Sequence, residues 1–278
     1  METLYVSDLD GTLLGNDSQL SERSVELLNG LLARGVHFTV ATARTPATVS
    51  PLLSRLSMRL PAVVMSGAAL WNLNHKRFID TKLIETENVR LVLDIMSRHG
   101  MCPMIYRCCG DRLQVHHRGE LNTWEKAFVA QREGLALKRF CLNDPQLDDH
   151  LTDALLLFSM GNPERLEAIS REIADCGVCE VVYYRDNLQP EVALLEVYRR
   201  GTSKSAAIAR VASMASAMRI VAFGDNVNDL PMLDSATHAV AVGNAVPQVK
   251  AIAHEVIGTN TADSVARYIA ADIANHEF

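Results

Sequence analysis

Apolar positions along this chain follow two periods, and the switches between them mark out its elements. Leu4-Tyr5-Val6 is a short unbroken apolar run of the kind that forms a strand buried on both faces. Behind it Val25, Leu28, Leu31 and Leu32 fall on one face of a helix, with Ser21 as its cap and Gly35 as its stop. Val36 to Ala41 predicts a second strand, and Thr45-Pro46 supplies a cap and a first-turn proline for a second helix. Pro61 to Met65 reads as a third short buried strand, ending in Ser66-Gly67-Ala68. Strands alternating with helices of this length imply a parallel sheet with right-handed crossovers, hence an open α/β domain.

Near Lys82 the rhythm changes. Thr86 is placed to cap a helix that turns Val89, Leu93 and Met96 inward, and Gly100 stops it. Met104 to Arg107 and Leu113 to His117 then flank the turn Cys109-Gly110-Asp111 as a hairpin. A helix around Trp124 to Arg132 follows, then a strand at Leu155 to Met160 and a helix capped by Asn162-Pro163. Strands at Val181 to Tyr184 and Val192 to Val197 complete this part. Such an order predicts an antiparallel α+β module inserted into the parallel domain. The alternating rhythm resumes with a helix capped by Thr202 or Ser203, a strand at Arg219 to Phe223, another at His238 to Val242, and a last helix from about Ala262. The expected boundaries are therefore a discontinuous α/β core of residues 1–82 and 198–278, and an inserted module of residues 83–197.

Composition narrows the partners. With 278 residues, 48% of them hydrophobic, the chain can bury one large core or two modest ones. Its net charge of −6 and lack of a Lys/Arg block along any helix favour neither nucleic acid nor an anionic membrane. A strand begins almost at the first residue and no apolar run is long enough to span a bilayer, so the expected location is the cytoplasm. Six cysteines are too few for a disulfide framework; Cys176-Gly177-Val178-Cys179 has CxxC spacing and Cys108-Cys109 adjoin, but without a second CxxC the better reading is buried structural thiols.

The candidate chemistry begins at Asp8-Leu9-Asp10-Gly11-Thr12. If the first strand stays extended to its end, Asp8 and Asp10 project in one direction, at the sheet edge where open α/β folds bind ligands. A second acidic stretch, Gly224-Asp225-Asn226-Val227-Asn228-Asp229, also follows an apolar strand. Should both strand ends meet, four carboxylates share one crevice, and an all-oxygen site of that kind suits Mg²⁺ better than zinc. Thr42, after the second strand, adds a hydroxyl. Lys204, at a helix start, adds a cation beside free backbone N–H groups, an arrangement that favours a phosphate.

These stretches resemble the four motifs of the haloacid dehalogenase (HAD) superfamily, in its Cof-type phosphatase branch with a C2-type (IIB) cap. They are Asp8-Leu9-Asp10-Gly11-Thr12, Ala41-Thr42-Ala43-Arg44, Lys204 and Gly224-Asp225-Asn226-Val227-Asn228-Asp229. Their order matches, as does a large α+β insertion between the second and third. The resemblance implies a Rossmann-like core and an Asp8 nucleophile that forms an aspartyl-phosphate. It makes Asp10 the acid that protonates the leaving alcohol and then activates water. It implies Mg²⁺ held by Asp8, the backbone carbonyl of Asp10 and Asp225, with Asp229 supporting the metal or Lys204. Thr42, the backbone N–H groups of Leu9 and Ala43, Lys204 and Asn228 would hold the phosphoryl oxygens. The chain departs from the branch at Ala43, where glycine is more usual, at Ser66-Gly67-Ala68 in place of Asn-Gly-Ala, and at Asp263-Ser264-Val265 in place of Asp-Gly-Val.

The function expected is Mg²⁺-dependent hydrolysis of small phosphomonoesters, sugar phosphates foremost, by a monomer or homodimer. The inserted module would choose the leaving group, with Arg107, Arg185, His116 and His117 as contacts. A phosphosugar mutase is an alternative within the same superfamily. A non-catalytic phospho-sensing module is another, though known modules of that kind are shorter and pair adjacent acids.

Overall fold

Leu4, Tyr5 and Val6 are all buried, as a strand inside a parallel sheet requires. The computed structural model describes residues 2–186 and 189–276. From the start run β1 (Thr3–Ser7), α1 (Glu22–Ala33), β2 (His37–Val40), α2 (Pro46–Leu52), β3 (Ala62–Val64), β4 (Ala69–Asn72) and β5 (Arg77–Thr81). Next come α3 (Thr86–Arg98), β6 (Met104–Cys109), β7 (Arg112–His116), α4 (Thr123–Ala130), β8 (Lys138–Cys141), β9 (Ala154–Gly161), α5 (Pro163–Asp175), β10 (Cys179–Arg185) and β11 (Ala193–Arg199). The chain ends with α6 (Lys204–Met214), β12 (Arg219–Gly224), α7 (Leu230–Asp234), β13 (His238–Ala241), α8 (Pro247–Ile252), β14 (Glu255–Val256) and α9 (Ser264–His276). It divides into two compact units, Met1–Ile79 with Ser203–Phe278, and Asp80–Thr202.

The first unit is built on a five-stranded sheet of order β14-β13-β12-β1-β2. Every pairing in it is parallel. β1 lies between β2 and β12 with Ser7 opposite Phe223, so both strands end at the same level and edge. Segments more than 200 residues apart thus emerge side by side, where the strand order reverses and open α/β sheets bind their ligands. The α1 start matches expectation: Ser21 accepts a hydrogen bond from Ser24 N.

The third strand departs from the expected parallel sheet. β3 joins it through an isolated parallel bridge between Val63 and Ala41, then turns back to pair antiparallel with β4 in a separate sheet of order β3-β4-β5. The reversal passes through Met65 and Ser66, at φ of 51° and 55°, and Gly67 at 98°. Strands β4 and β5 had no expected counterpart. The fully buried Trp71 of β4 donates to Ser50 Oγ at 3.0 Å.

In the second unit a six-stranded sheet has the order β10-β11-β9-β6-β7-β8. All its pairings are antiparallel except β7 with β8. Helices α3 and α5 cover one face, where Val92, Ile95, Ile169 and Ile173 meet Ile105, Leu157, Leu195 and Val197. That is the α+β module read from the sequence, and with the first unit it gives the α/β class. The hairpin across Gly110 is also present. Corrections are local. Helix α3 follows Glu85, with no side chain capping it. All six cysteines are free thiols, but only Cys179 is buried and Cys176 is exposed, so the expectation of buried thiols holds for one. Among the described residues no helix is long and apolar enough to cross a membrane.

The sheet face away from α3 and α5 carries an unusual lysine. Lys138 is buried, with Nζ 5.2 to 5.8 Å from the ring centres of Phe140, Tyr106 and Phe128. Burial, and secondarily the charge of Arg132, push its ammonium down to about 8. An unfolded lysine titrates near about 10.4, so between the two values the unfolded chain binds more protons and stability rises with pH. The cost of Lys138 is therefore fully present at neutral pH. Lys138→Met is expected to raise the unfolding free energy by roughly 2 kcal/mol at neutral pH, and the gain should vanish above about pH 10. Urea unfolding of both proteins at the two pH values checks this; a gain independent of pH contradicts it.

Candidate active site

The end of β1 delivers Asp8 with its backbone N–H bonded to Phe223 O at 3.0 Å, so β12 holds the residue in place. Beyond it the chain leaves extended geometry at once. Residues 9–13 form a wide turn, closed by Leu14 N on Leu9 O at 2.9 Å and bent at Asp10 and Gly11. The expected alternation of Asp8 and Asp10 on one strand is accordingly replaced by a different arrangement, in which each acid has its own cation. Asp8 Oδ1 accepts from Lys204 Nζ at 2.6 Å, both side chains being buried. Asp10, half exposed, takes a two-pronged grip from Arg44: Nε on Oδ2 at 2.7 Å and a terminal nitrogen on Oδ1 at 2.6 Å. Planar guanidinium-to-carboxylate pairing of this kind fixes orientation as well as charge.

The second acidic stretch folds onto the first. Asp229 is wholly buried; its Oδ1 accepts from Lys204 Nζ at 2.7 Å, and its Oδ2 accepts from the N–H groups of Asp225 at 3.1 Å and Asn226 at 3.3 Å. Gly224 is needed here, because a Cβ on it would lie 2.8 Å from Asp229 Cβ. Asp225 is half buried and its Oδ1 accepts from Thr12 Oγ1 at 2.9 Å. Gly11, at φ +75°, lets the turn pass: a Cβ would sit 2.4 Å from Asp225 Oδ2.

One oxygen from each of Asp8, Asp225 and Asp229 lies within 4.8 Å of the others, an arrangement able to hold a metal ion. The Asp10 side chain stands apart from that set, in the hand of Arg44. Burial, then repulsion from Asp229, pushes the Asp8 carboxyl above its ordinary range while Lys204 pulls it down. Burial, with a further push from Asp229, lifts Asp225 to about 6 against the pull of its Thr12 hydrogen bond. Burial would also discharge Lys204, but Asp8 and Asp229 reverse this and raise it above an ordinary lysine. Three acids therefore confront one ammonium, and the excess negative charge among oxygen donors suits a small hard cation.

Of the other expected residues, Thr42 is buried and its Oγ1 accepts from Arg44 N at 3.1 Å, which turns the second motif around the hydroxyl. Leu9 is buried, Ala43 is half buried, and Asn228 is exposed on the turn 227–229. Sequence reading assigned no part to Arg44 or Thr12, although both lie within its motifs. Nor did it place Gly67, whose left-handed φ of +98° brings it against Ser203, the cap of α6. In the second unit His116 and His117 prove to be buried, and the half-buried Arg107 donates to Thr152 O at 2.8 Å.

The model of the haloacid dehalogenase-like hydrolase family matches residues 5–269. The chain belongs to that family. It is a phosphatase of the HAD type. It is 25% identical over 272 residues to the pyridoxal phosphate phosphatase YbhA of Escherichia coli, covering 94% of this chain and 95% of that protein. It is 24% identical over 271 residues to the 5-amino-6-(5-phospho-D-ribitylamino)uracil phosphatase YcsE of Bacillus subtilis, covering 96% and 94%. In fold it matches a haloacid dehalogenase-like hydrolase from Bacteroides thetaiotaomicron, with a TM-score of 0.78, 24% identity and coverage of 98% and 100%. A HAD subclass IIB sugar phosphatase matches with a TM-score of 0.72, 20% identity and coverage of 98% and 99%.

The two glycines Gly67 and Gly30 provide a contrast. A Cβ on Gly67 would fall 2.1 Å from Ser203 O, a backbone atom that leads straight into Lys204, whereas one on Gly30 in α1 would meet nothing within 4 Å. Gly67→Ala is expected to lower the unfolding free energy by roughly 2–4 kcal/mol, from strain and overpacking together. Gly30→Ala should raise it by about 1 kcal/mol or less. Thermal unfolding of the two variants checks this; equal effects contradict the packing described.

Proposed function

We propose that this phosphatase hydrolyses phosphomonoesters of small metabolites, sugar phosphates foremost, through an aspartyl-phosphate formed on Asp8, with Mg²⁺ as its cofactor. The observation that carries the reading is the separate pairing of two acids two residues apart: Asp8 with buried Lys204, and Asp10 with Arg44. A nucleophile and an acid–base residue have opposite needs. The nucleophile must be anionic in a buried place, and Lys204 opposes the burial and the Asp229 charge that press a proton onto Asp8. The acid–base residue must meet the leaving oxygen in a fixed orientation, which the Arg44 grip supplies to the half-exposed Asp10.

Asp8 attacks phosphorus in line with the ester oxygen, and Asp10 protonates that oxygen as the alcohol departs. Asp10, now a carboxylate, then takes a proton from the water that cleaves the acyl phosphate, restoring Asp8. Lys204, Thr42, Asn228 and the backbone N–H groups of Leu9 and Ala43 hold the phosphoryl oxygens, and Asp229 keeps Lys204 in place. Asp8, Asp225 and the Asp10 carbonyl would hold Mg²⁺, which when bound neutralises charge between a carboxylate and a phosphate dianion. The relatives named for pyridoxal phosphate and a ribityl phosphate support a small phosphorylated metabolite as substrate. The unit Asp80–Thr202 is the part we assign to substrate choice.

With Mg²⁺ and an aryl phosphate, Asp8→Asn is expected to lose phosphate release by at least roughly a thousandfold. Arg44→Gln should lose about ten- to a hundredfold in kcat, through a misaimed Asp10, with KM little changed. Steady-state phosphate release measures both. Equal turnover by Asp8→Asn and the unaltered enzyme removes the nucleophile, and an unchanged kcat in Arg44→Gln removes the positioning of Asp10.

A further inference from the structure

A second cluster of ligating side chains lies in the other unit. His116 ends β7, Asp144 sits in the irregular segment after β8, and His150 closes the turn Leu147–His150. One donor atom from each lies within 4.8 Å of the other two. His116 Nδ1 and His150 Nδ1 each stand 2.7 Å from the same oxygen, Asp144 Oδ2, and the two imidazole rings are 4.3 Å apart. His116 and Asp144 are nearly inaccessible, while the His150 side chain is 32% exposed and gives the cluster a path to solvent.

Both ring nitrogens of His116 have partners, Nδ1 at Asp144 Oδ2 and Nε2 at Gln114 Oε1, 3.3 Å away. Without an ion the Nδ1–H groups of the two imidazoles can donate to Asp144 Oδ2; deprotonated, the same two nitrogens and the oxygen turn three lone pairs toward one ion. A metal-bound imidazole ordinarily gives its other ring N–H to a hydrogen-bond acceptor, and Gln114 Oε1 is placed to accept it from His116.

We propose that His116, Asp144 and His150 form a site for a divalent transition-metal ion of the Zn²⁺ class, separate from the carboxylate cluster around Asp8. Two imidazoles and one carboxylate suit such an ion, whereas the all-oxygen set of Asp8, Asp225 and Asp229 suits Mg²⁺. Cys141 lies opposite His116 in the parallel β7–β8 pairing, on the same sheet face. On that face Arg107 is drawn off to Thr152 O at 2.8 Å and to Asp153 at 3.8 Å. The ion would pin the irregular segment between β8 and β9 to the sheet, since Asp144 and His150 lie in that segment and His116 ends β7, and its binding energy would add to folding energy.

The test uses the full chain in excess Mg²⁺, which occupies the carboxylate site, and adds Zn²⁺ or Co²⁺ as probes. One Zn²⁺ per chain is expected to bind and raise the melting temperature. Co²⁺ should give the intense visible bands of a four-coordinate ion. His150→Ala, at the accessible corner, should weaken Zn²⁺ by about a hundredfold or more and abolish both effects, with phosphate release in Mg²⁺ unchanged. Equal Zn²⁺ affinity in the unaltered chain and His150→Ala, as the Cys176–Cys179 pair would give, overturns the proposal. So does a wild-type chain that binds no Zn²⁺, or whose Co²⁺ spectrum has only the weak bands of an octahedral oxygen site.

Discussion

The first unit depends on one interaction: a buried ammonium held between two buried carboxylates. Taking Lys204, Asp8 and Asp229 out of water costs several kcal/mol for each ion, and only their contacts at 2.6 and 2.7 Å offset it. None of the three can be removed without stranding the others, so the backbone around them is built for close approach. Gly224 admits Asp229, Gly67 admits the start of α6, and the Asp8 N–H is bonded across to β12. Geometry at the Asp8 carboxylate is thus a by-product of charge satisfaction.

The same charges explain why the two acids of the first motif can differ in task. Asp8 lies where burial and Asp229 press a proton onto it, and Lys204 keeps it in reach of anionic chemistry. Asp10, two residues on, lies past a bend in the chain and meets solvent and Arg44 instead. Gly11 makes the difference, since any side chain there would strike Asp225. Identical side chains acquire different work from their surroundings.

Much of this was legible in the sequence because its signals are local. Apolar runs and caps announced β1, α1, β2 and β12, and the acids at two strand ends announced a crevice. That β1 and β12 are register neighbours follows from no local pattern. What stayed hidden was long-range or contrary to pattern. β8 reads Lys138-Arg139-Phe140-Cys141, too charged for a strand until its lysine is seen buried among aromatic rings. Strands β4 and β5 depend on a reversal through two non-glycine residues at positive φ, which turn propensity disfavours. Arg44 stood inside a motif, yet its partner Asp10 is 34 residues away. His116 was expected at a substrate surface, and only its contacts with Asp144 and Gln114 reveal an interior role.

Asp8 is the residue we propose as nucleophile, paired with Lys204, which Asp229 keeps in place. The most direct test of that assignment is to mix enzyme, Mg²⁺ and a phosphorylated substrate, quench in acid during turnover, and map the phosphate by peptide mass spectrometry. The account predicts an acid-stable, base-labile phosphoryl group on the peptide that carries Asp8. Phosphate on a different residue, or turnover with no phosphoryl-protein at any time, would contradict it.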